Sequence, residues 1–316
     1  MLREAAIGAY QMLLIVLLAP LLTGIIKKTK AFFQTRKGPN IFQPYFDLYK
    51  YLQKESVVSE HTSWIFRVTP LIYISSMLVA AAIVPVVATH SLLGFAGDLI
   101  LIVYLFALAR FFLALAGLDA GSAFGGMGSS REMAVAAIAE PAFMLPLFTM
   151  AVAAGTTNLT GIVQGVVNGG EGVLTLAHLM SFVALFVVAV AETGRIPVDN
   201  PDTHLELTMI HEGMMLEYSG KHLALLSVAV SIKQLLIFTL LVNIFFPWGI
   251  APVSASIGGL ISGTLVFIFK VIILGIVMAV VETSFAKTRL FKVPDLLMGS
   301  FLIGLIGLVS KFVFRG

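Results

Sequence analysis

The chain has 316 residues, of which 59% are hydrophobic and only 12% charged, and its mean hydropathy is +1.00. Because a soluble domain usually carries about a quarter charged residues, this composition excludes a soluble enzyme. The formal net charge of +3 is small, and cysteine is absent, which excludes iron–sulfur clusters or disulfides held by this chain.

Eight apolar segments recur from one end of the chain to the other. A spanning helix needs roughly 20 mostly apolar residues, because the hydrocarbon core is about 30 Å thick and each residue rises about 1.5 Å. The segments that meet this demand are Ile7–Ile26, Pro70–Thr89, Leu99–Leu118, Met133–Ala154, Val173–Ala191, Leu223–Trp248, Ile257–Val281 and Leu296–Phe314. We therefore expect an all-α, polytopic membrane protein with about eight transmembrane helices, in which residues 1–316 form a single integral membrane domain.

The basic residues are concentrated in alternate loops. One side of the predicted bundle carries most of the 20 Lys and Arg residues, namely Lys27, Lys28, Lys30, Arg36, Lys37, Lys50, Lys54, Arg67, Arg131, Arg195, Lys221, Lys287, Arg289 and Lys292. The other side, which includes both termini, carries Arg3, Lys311 and Arg315. Because basic loops stay in the cytoplasm, we predict that the basic side faces the cytoplasm and that both termini lie outside.

Two predicted cytoplasmic segments are more than simple connectors. Residues 27–69 mix charges with aromatic and aliphatic residues, which is typical of an interfacial amphipathic helix or a docking platform. Residues 192–221 form an acidic loop whose carboxylates are Glu192, Asp199, Asp202, Glu206, Glu212 and Glu217. Apolar residues interrupt this loop, which favours a fold back against protein rather than an ordinary solvated loop. Closely packed carboxylates cannot all ionise together, so such a row could pass protons along.

Five ionisable residues fall inside predicted spans: Arg110, Glu140, His178, Lys233 and Lys270. Each costs about 2.5–3.5 kcal/mol on insertion scales, so such residues usually serve a function. Glu140 is the strongest candidate for a proton relay, because it lies near the middle of its apolar run and precedes Pro141, whose missing N–H loosens the helix. An ion pair between Glu140 and Lys233 or Arg110 is the competing interpretation.

The other residues within spans also have structural interpretations. Lys233 and Lys270 lie deep in their helices, so each either relays protons or neutralises Glu140 and the acids of the loop. His178 has no second His or carboxylate at helical spacing, and we expect it to hydrogen-bond a neighbouring helix rather than to bind a metal. No metal site and no catalytic residue is predicted in this chain.

Two sequence blocks resemble the signatures of a known family. The run Glu192-Thr-Gly-Arg195-Ile-Pro197-Val-Asp199 is similar to E-T-N-R-x-P-F-D of the complex I subunit 1 family. The run Gln34-Thr-Arg36-Lys-Gly38-Pro39-Asn40, followed by Asp47, Lys50, Lys54 and Glu55, resembles Q-x-R-x-G-P-N and D-x-x-K-x-x-x-K-E of that family. With eight matched spans, the resemblance covers nearly the whole chain.

Within this family, the chain most resembles the membrane anchors of group 4 nickel–iron hydrogenases and formate hydrogenlyases. The blocks Gly117-Leu-Asp119-Ala-Gly121-Ser122 and Ser130-Arg131-Glu132 are similar to the hydrogenase-4 type G-L-D-T-G-S and S-R-E. The chain departs from the complex I pattern at three positions. Val198 replaces the usual Phe, Gly194 replaces the usual Asn, and His204 replaces the middle carboxylate of E-x-E-x-E. These changes fall where complex I shapes its quinone cavity and proton entrance, which argues against a quinone site here.

The resemblance implies a multi-pass subunit of the prokaryotic cytoplasmic (inner) membrane that catalyses nothing alone. It also implies that this subunit couples a redox reaction on its partners to translocation of protons or Na⁺. It implies a proton path through Glu140, Glu192, Asp199, Asp202, Glu206, Glu212 and Glu217. The implied countercharges are Arg36, Arg131, Arg195, Lys233 and Lys270. The implied docking residues for the peripheral arm are Gln34, Arg36, Gly38, Pro39, Asn40, Asp47 and Lys50.

The cofactors implied by the resemblance belong to other subunits. A nickel–iron site and iron–sulfur clusters are expected on peripheral hydrogenase large and small subunits and on iron–sulfur subunits. Antiporter-like membrane subunits are expected beside this chain in the lipid bilayer, and no nucleic acid is expected. Three alternatives stay open: a quinone-binding subunit 1 of a complex I-type dehydrogenase, a passive membrane anchor, and a secondary transporter, for which no clear internal repeat is visible.

Overall fold

The computed structural model describes residues 2–168, 175–199, 210–252, 255–286, 288 and 290–313. Over these ranges the chain forms α-helices and no β-strand. The helices are α1 (Leu2–Phe33), α2 (Gln43–Gln53), α3 (Trp64–Ile83), α4 (Leu99–Asp119), α5 (Ala123–Ala154), α6 (Leu159–Asn168), α7 (Leu176–Glu192), α8 (His211–Met215), α9 (Gly220–Phe245), α10 (Ile257–Ser284) and α11 (Val293–Val313). Two predicted path residues, Asp202 and Glu206, lie outside the described residues.

Eight of these helices coincide with the eight predicted spans. Seven of them, α1, α3, α4, α5, α9, α10 and α11, are long and apolar enough to cross a membrane. The eighth, α7, is a shorter apolar helix of 17 residues that packs between α5 and α11. The all-α, polytopic architecture is therefore confirmed.

Local chemistry accounts for the boundaries that differ from the prediction. Helix α3 begins earlier than predicted because the Ser63 side chain accepts a hydrogen bond from the Ile65 N–H and caps the helix. The same helix ends at Ile83, since the α conformation is disfavoured for Val84, the residue before Pro85. The predicted span up to Thr89 therefore continues as an extended segment.

The extended segment that follows α3 is held by polar side chains from two helices. Gln11 Oε1 on α1 accepts hydrogen bonds from the backbone N–H groups of residues 86–88, at 2.9–3.0 Å. Asn243 Nδ2 on α9 donates to the carbonyls of Pro85 and Val86, both at 2.8 Å. These bonds satisfy backbone groups that no helix or sheet pairs, as burial requires.

Helix α9 is the central helix of the bundle, packed against α1, α3, α7 and α10. Every residue from Ile232 to Phe245 is buried. Full burial explains why this stretch is mostly apolar around its whole circumference and has no solvent-facing polar stripe. It also means that the polar residues Lys233, Gln234 and Asn243 must find partners inside the protein.

The loops gather at two ends of the bundle. At the end that includes the N-terminus, the Ala251 N–H donates to the Val87 carbonyl at 2.8 Å. At the other end, the Ser63 N–H donates to the carboxylate of Asp119 at 2.8 Å. The loops thus alternate as the basic residues predicted, while the assignment of one end to the cytoplasm stays a prediction.

Helix α2 lies within the segment 27–69, where an amphipathic helix was predicted. One flank packs on α1 and α9. The other flank carries an exposed apolar row at helical spacing, formed by Phe42, Phe46, Tyr49 and Leu52. The predicted helix is present, with its apolar row open to a membrane surface or a partner.

Candidate functional site

A buried ion-pair network joins four of the apolar helices. Arg110 on α4 contacts three carboxylates, with Nε 3.4 Å from Glu132, Nη1 3.2 Å from Glu140 and Nη2 2.5 Å from Glu192. Lys233 on α9 adds a second cation, its Nζ 2.8 Å from Glu192 Oε2. These five residues are called the Arg110 network below.

The helices direct these side chains towards one another from different heights in the bundle. Glu132 and Glu140 are eight residues apart on α5, which corresponds to about 12 Å along the axis, and they approach Arg110 from either side. Glu192 is the last residue of α7 and points between α4 and α9. Three carboxylates thus surround two cations, so the fully ionised network carries one excess negative charge.

The network extends from the interior to a lateral surface of the bundle. The side chains of Arg110, Glu192 and Lys233 are each about 5% exposed, whereas the side chain of Glu140 is 36% exposed. The neighbouring residues Ala137 and Pro141 on α5 are exposed as well. Glu140 therefore stands where the network reaches the outer flank of α5.

A second buried cluster lies on the other side of α9. Glu282 on α10 accepts a hydrogen bond at 2.9 Å from Nη1 of Arg195, which follows α7, and its Oε2 is 3.3 Å from Nζ of Lys30 on α1. Nη2 of Arg195 donates to Gln234 Oε1 at 3.0 Å. These four residues, Lys30, Arg195, Gln234 and Glu282, are called the Glu282 cluster.

A cavity of about 160 Å³ connects the two groups of charges. Its lining includes Glu192 and Lys233 from the Arg110 network and Arg195 and Gln234 from the Glu282 cluster. Four further titratable residues also line it, namely Lys27, Asp199, His211 and Glu212. The cavity is large enough and polar enough to hold water.

His211 and Asp199 meet at the wall of this cavity. The backbone N–H groups of Ile210 and His211 donate to Asp199 Oδ2 at 3.3 and 3.2 Å. Burial, with a further contribution from the nearby Lys233 ammonium, lowers the pKa of His211 to about 4. His211 is therefore neutral at physiological pH and adds no positive charge to the cavity.

A larger cavity, of about 460 Å³, opens beneath α2 and adjoins the first. Its lining includes Thr23 and Lys27 of α1, Leu48 and Tyr51 of α2, and Met215 of α8. Thr23, Lys27 and Met215 line the 160 Å³ cavity too, so the two spaces are neighbours. The space beneath α2 thus leads towards the charged interior.

The structure brings some of the predicted path residues together. Glu140 and Glu192 belong to the Arg110 network, and Asp199 and Glu212 line the adjoining cavity. Glu217 is exposed at the turn before α9 and takes no part in the network.

The five predicted countercharges each lie in different surroundings. Lys233 pairs with Glu192, as predicted, whereas Arg195 pairs with Glu282. Lys270 is not brought to the acids: its Nζ donates to the carbonyls of Phe246 and Trp248 at the opposite end of the bundle. Arg36 is exposed in the loop after α1, and Arg131 Nη2 lies 3.8 Å from Met127 Sδ. A cation beyond a helix C-terminus satisfies free carbonyl groups, which explains the position of Lys270.

His178 was predicted to hydrogen-bond a neighbouring helix, and the structure confirms this. Its Nε2 lies 3.0 Å from the carbonyl oxygen of Phe245 on α9. Among the described residues, no group of three or more His, Asp or Glu side chains is placed to hold a metal ion.

The predicted docking residues form an exposed surface at the end of the bundle that carries the acidic loop. Residues 34–41 are exposed throughout, and Lys50 is exposed on α2. Gly38 has φ +65°, and a Cβ there would meet Ala31, so only glycine suits this turn. Asp47 accepts a hydrogen bond from Gln43 Nε2 at 2.9 Å and lines the 460 Å³ cavity.

Sequence reasoning missed three residues of these two charged groups. Glu132 was noted only as part of a motif, although it is the third carboxylate around Arg110. Glu282 and Gln234 were not singled out at all. The available signal for Glu282 was its position at the end of a long apolar run, the same position that drew attention to Glu192.

Comparisons with known proteins agree with this architecture. The family model described as NADH dehydrogenase matches residues 6–311. The chain is 35% identical to formate hydrogenlyase subunit 4 of Escherichia coli K12 over 95% of its own length and 96% of that protein. It is 37% identical to hydrogenase-4 component C of the same organism, covering 88% of this chain and 87% of that one.

The fold is also that of a subunit in a solved archaeal assembly. A chain of the membrane-bound sulfane sulfur reductase, an archaeal respiratory membrane complex, superposes with a TM-score of 0.81 over 98% of both chains. The sequence identity is 22%, so this likeness concerns the fold alone.

Proposed function

Since this chain belongs to the NADH dehydrogenase subunit 1 family, we propose that it is the membrane subunit of an energy-converting complex of the formate hydrogenlyase or hydrogenase-4 type. In this role it anchors a peripheral redox arm and couples electron transfer to the translocation of protons or Na⁺. It catalyses no reaction by itself.

The observation that carries this proposal is the charge imbalance of the Arg110 network. Three carboxylates face two cations, and all of these side chains except that of Glu140 are largely shielded from water. This arrangement favours the uptake of one proton, because burial penalises an unbalanced charge. A merely structural cluster would be more stable with balanced charges. The network is thus suited to hold and release a proton during each turnover.

The two ends of the charged region suggest how the subunit is placed among its partners. We place the peripheral arm, with its hydrogenase large and small subunits and iron–sulfur subunits, on the exposed residues 34–41 and on α2. We place an antiporter-like membrane subunit against the flank of α5, because Glu140 reaches the surface there and a carboxylate facing lipid is costly. The acidic path then runs from the cavity lined by Asp199 and Glu212, through Glu192, to Glu140.

The nickel–iron site and the iron–sulfur clusters of this proposal belong to the peripheral subunits. The chain has no cysteine, the usual ligand of iron–sulfur clusters, which agrees with that division of labour. Its own residues hold and move protons.

The experiment is purification of the chain in mild detergent with its associated subunits, followed by reconstitution into proteoliposomes. The complex should contain nickel and convert hydrogen, and this turnover should drive ion uptake. Glu140→Gln should reduce the ions moved per hydrogen several-fold without loss of subunits, whereas the exposed Asp295→Asn serves as a control without effect. Full ion uptake by Glu140→Gln would leave this subunit as a passive anchor.

One observation favours a second candidate function, a quinone-binding subunit. The 460 Å³ cavity beneath α2 combines apolar and polar lining and adjoins the charged interior, as a binding site for an amphipathic ring would. The same preparation decides between the two functions. If the complex lacks nickel, reduces quinone and is inhibited by quinone-site blockers, the quinone-binding function replaces the hydrogenase proposal.

A further inference from the structure

We propose that Glu282 is a positioning residue that holds the Arg195 guanidinium away from the carboxylates of the Arg110 network. The inference rests on the proposed ion path and adds a residue that neither the sequence motifs nor the family signatures include. Glu282 thereby determines how many cations reach the carboxylates of the path.

The first line of evidence is the burial and bonding of Glu282. Its side chain is 0% exposed, and both carboxylate oxygens face cations that come from other elements of the chain. Oε1 accepts from Arg195 at 2.9 Å, and Oε2 lies 3.3 Å from Lys30 Nζ. Charge-assisted bonds of this kind fix a guanidinium in one orientation.

The second line of evidence is the position of Arg195 in the chain. Arg195 follows Glu192 by three residues, and its carbonyl accepts the Asp199 N–H at 3.0 Å. Arg195, Glu192 and Asp199 all line the 160 Å³ cavity. A released Arg195 side chain could therefore turn into this cavity and reach either carboxylate.

Such a turn would change the charge balance on which the path depends. The Arg110 network contains three carboxylates and two cations. With the Arg195 guanidinium beside Glu192, three carboxylates would face three cations, and the tendency to take up a proton would be lost. Beside Asp199, the guanidinium would place a cation in the cavity from which the proposed path starts. Glu282 prevents this by giving Arg195 a partner on α10, while Gln234 Oε1 receives its second N–H group.

The test is the variant Glu282→Gln in the complete complex, with Asp295→Asn as the control. A cryo-electron microscopy structure of the variant should place the Arg195 guanidinium within hydrogen-bond distance of Glu192 or Asp199. In proteoliposomes, the ions moved per hydrogen should fall several-fold. The double variant Arg195→Gln/Glu282→Gln, which removes the released cation, should recover most of the translocation.

The outcomes separate this inference from the proposed function. If Arg195 stays beside Gln234 in Glu282→Gln, the positioning role is wrong, whatever the transport result. If the double variant moves as few ions as the single variant, the role of Arg195 as the disturbing cation is wrong. If the parent complex moves no ions, the proposed function fails, while the position of Arg195 still decides the positioning role.

A variant with conserved net charge guards against simple misassembly. Should Glu282→Gln fail to assemble, Lys30→Met/Glu282→Gln removes one cation together with the carboxylate and leaves one buried cation, Arg195, to relocate. The same Arg195 position is expected in that structure. An assembled complex with Arg195 unmoved would overturn the proposal.

Discussion

Glu140→Gln and Glu192→Gln each remove one negative charge from the Arg110 network, yet the structure predicts different costs in stability. Glu140 is 36% exposed, and Arg110 keeps Glu132 and Glu192 when it is lost. The cost should resemble that of a surface ion pair, at most about 1 kcal/mol. Glu192 is 5% exposed and, among the residues that the structure describes, is the carboxylate that pairs with Lys233. Its loss leaves a buried ammonium unpaired, at a cost of about 3–5 kcal/mol.

The assay is thermal denaturation of the purified complex in detergent, together with its yield. Since each ~1.4 kcal/mol changes the folding equilibrium tenfold, Glu192→Gln should lower the melting temperature and the yield clearly, and Glu140→Gln should change both little. Lys233→Met in the Glu192→Gln background should recover most of the loss, because it removes the unpaired ammonium.

A different outcome would refute this reasoning directly. If Glu140→Gln destabilises the complex as much as Glu192→Gln does, Glu140 is half of a structural ion pair and Arg110 depends on it. If Lys233→Met gives no recovery, the cost of Glu192→Gln does not come from the unpaired ammonium.

Three further predictions concern topology, helix capping and pH. A Cys at exposed Phe95 should react with an impermeant reagent on intact cells, and a Cys at exposed Val57 only after the cells are opened; the reverse pattern contradicts the assigned orientation. Lys270→Met should lower the free energy of unfolding, measured by denaturation, by about 1–2 kcal/mol, because it removes two hydrogen bonds to carbonyl groups. It should leave the number of ions moved per hydrogen molecule unchanged, and a loss of coupling would show a role beyond capping. Because the pKa of His211 is about 4 in the folded protein and about 6.5 when unfolded, stability should fall between pH 6.5 and 4 by up to about 3 kcal/mol. Melting curves of His211→Gln should lack this part of the pH dependence, and identical curves for parent and variant would contradict the assignment.

The sequence predicted the helices well because membrane crossing imposes one simple requirement, a long apolar run. It also identified Arg110, Glu140 and Lys233, since a charge within such a run is conspicuous. What the sequence left open was their pairing. Both Arg110 and Lys233 were possible partners of Glu140, and the choice depends on which helices are neighbours and on their rotation.

The misplaced and missed residues have the same physical origin. Lys270 was grouped with the acids because it is a cation deep in a span, although it satisfies carbonyls at the end of α9. Glu282 was overlooked because a carboxylate at the end of an apolar run is usually solvated. Only the packing of α1 and α9 against α10, together with the Arg195 side chain that contacts Glu282, shows that the Glu282 carboxylate is enclosed.

Under the proposed function, the extended segment after α3 bears on the direction in which ions leave this subunit. Residues 85–88 cross the N-terminal end of the bundle with their backbone groups bonded to Gln11, Asn243 and Ala251 instead of to water. Backbone groups that are bonded in this way do not bind water along the axis of α9, so the proposed function predicts that a proton at Glu140 departs sideways, into a neighbouring subunit. On this proposal the chain does not conduct protons without that neighbour, and a membrane that contains surplus copies is expected to keep its ion gradient.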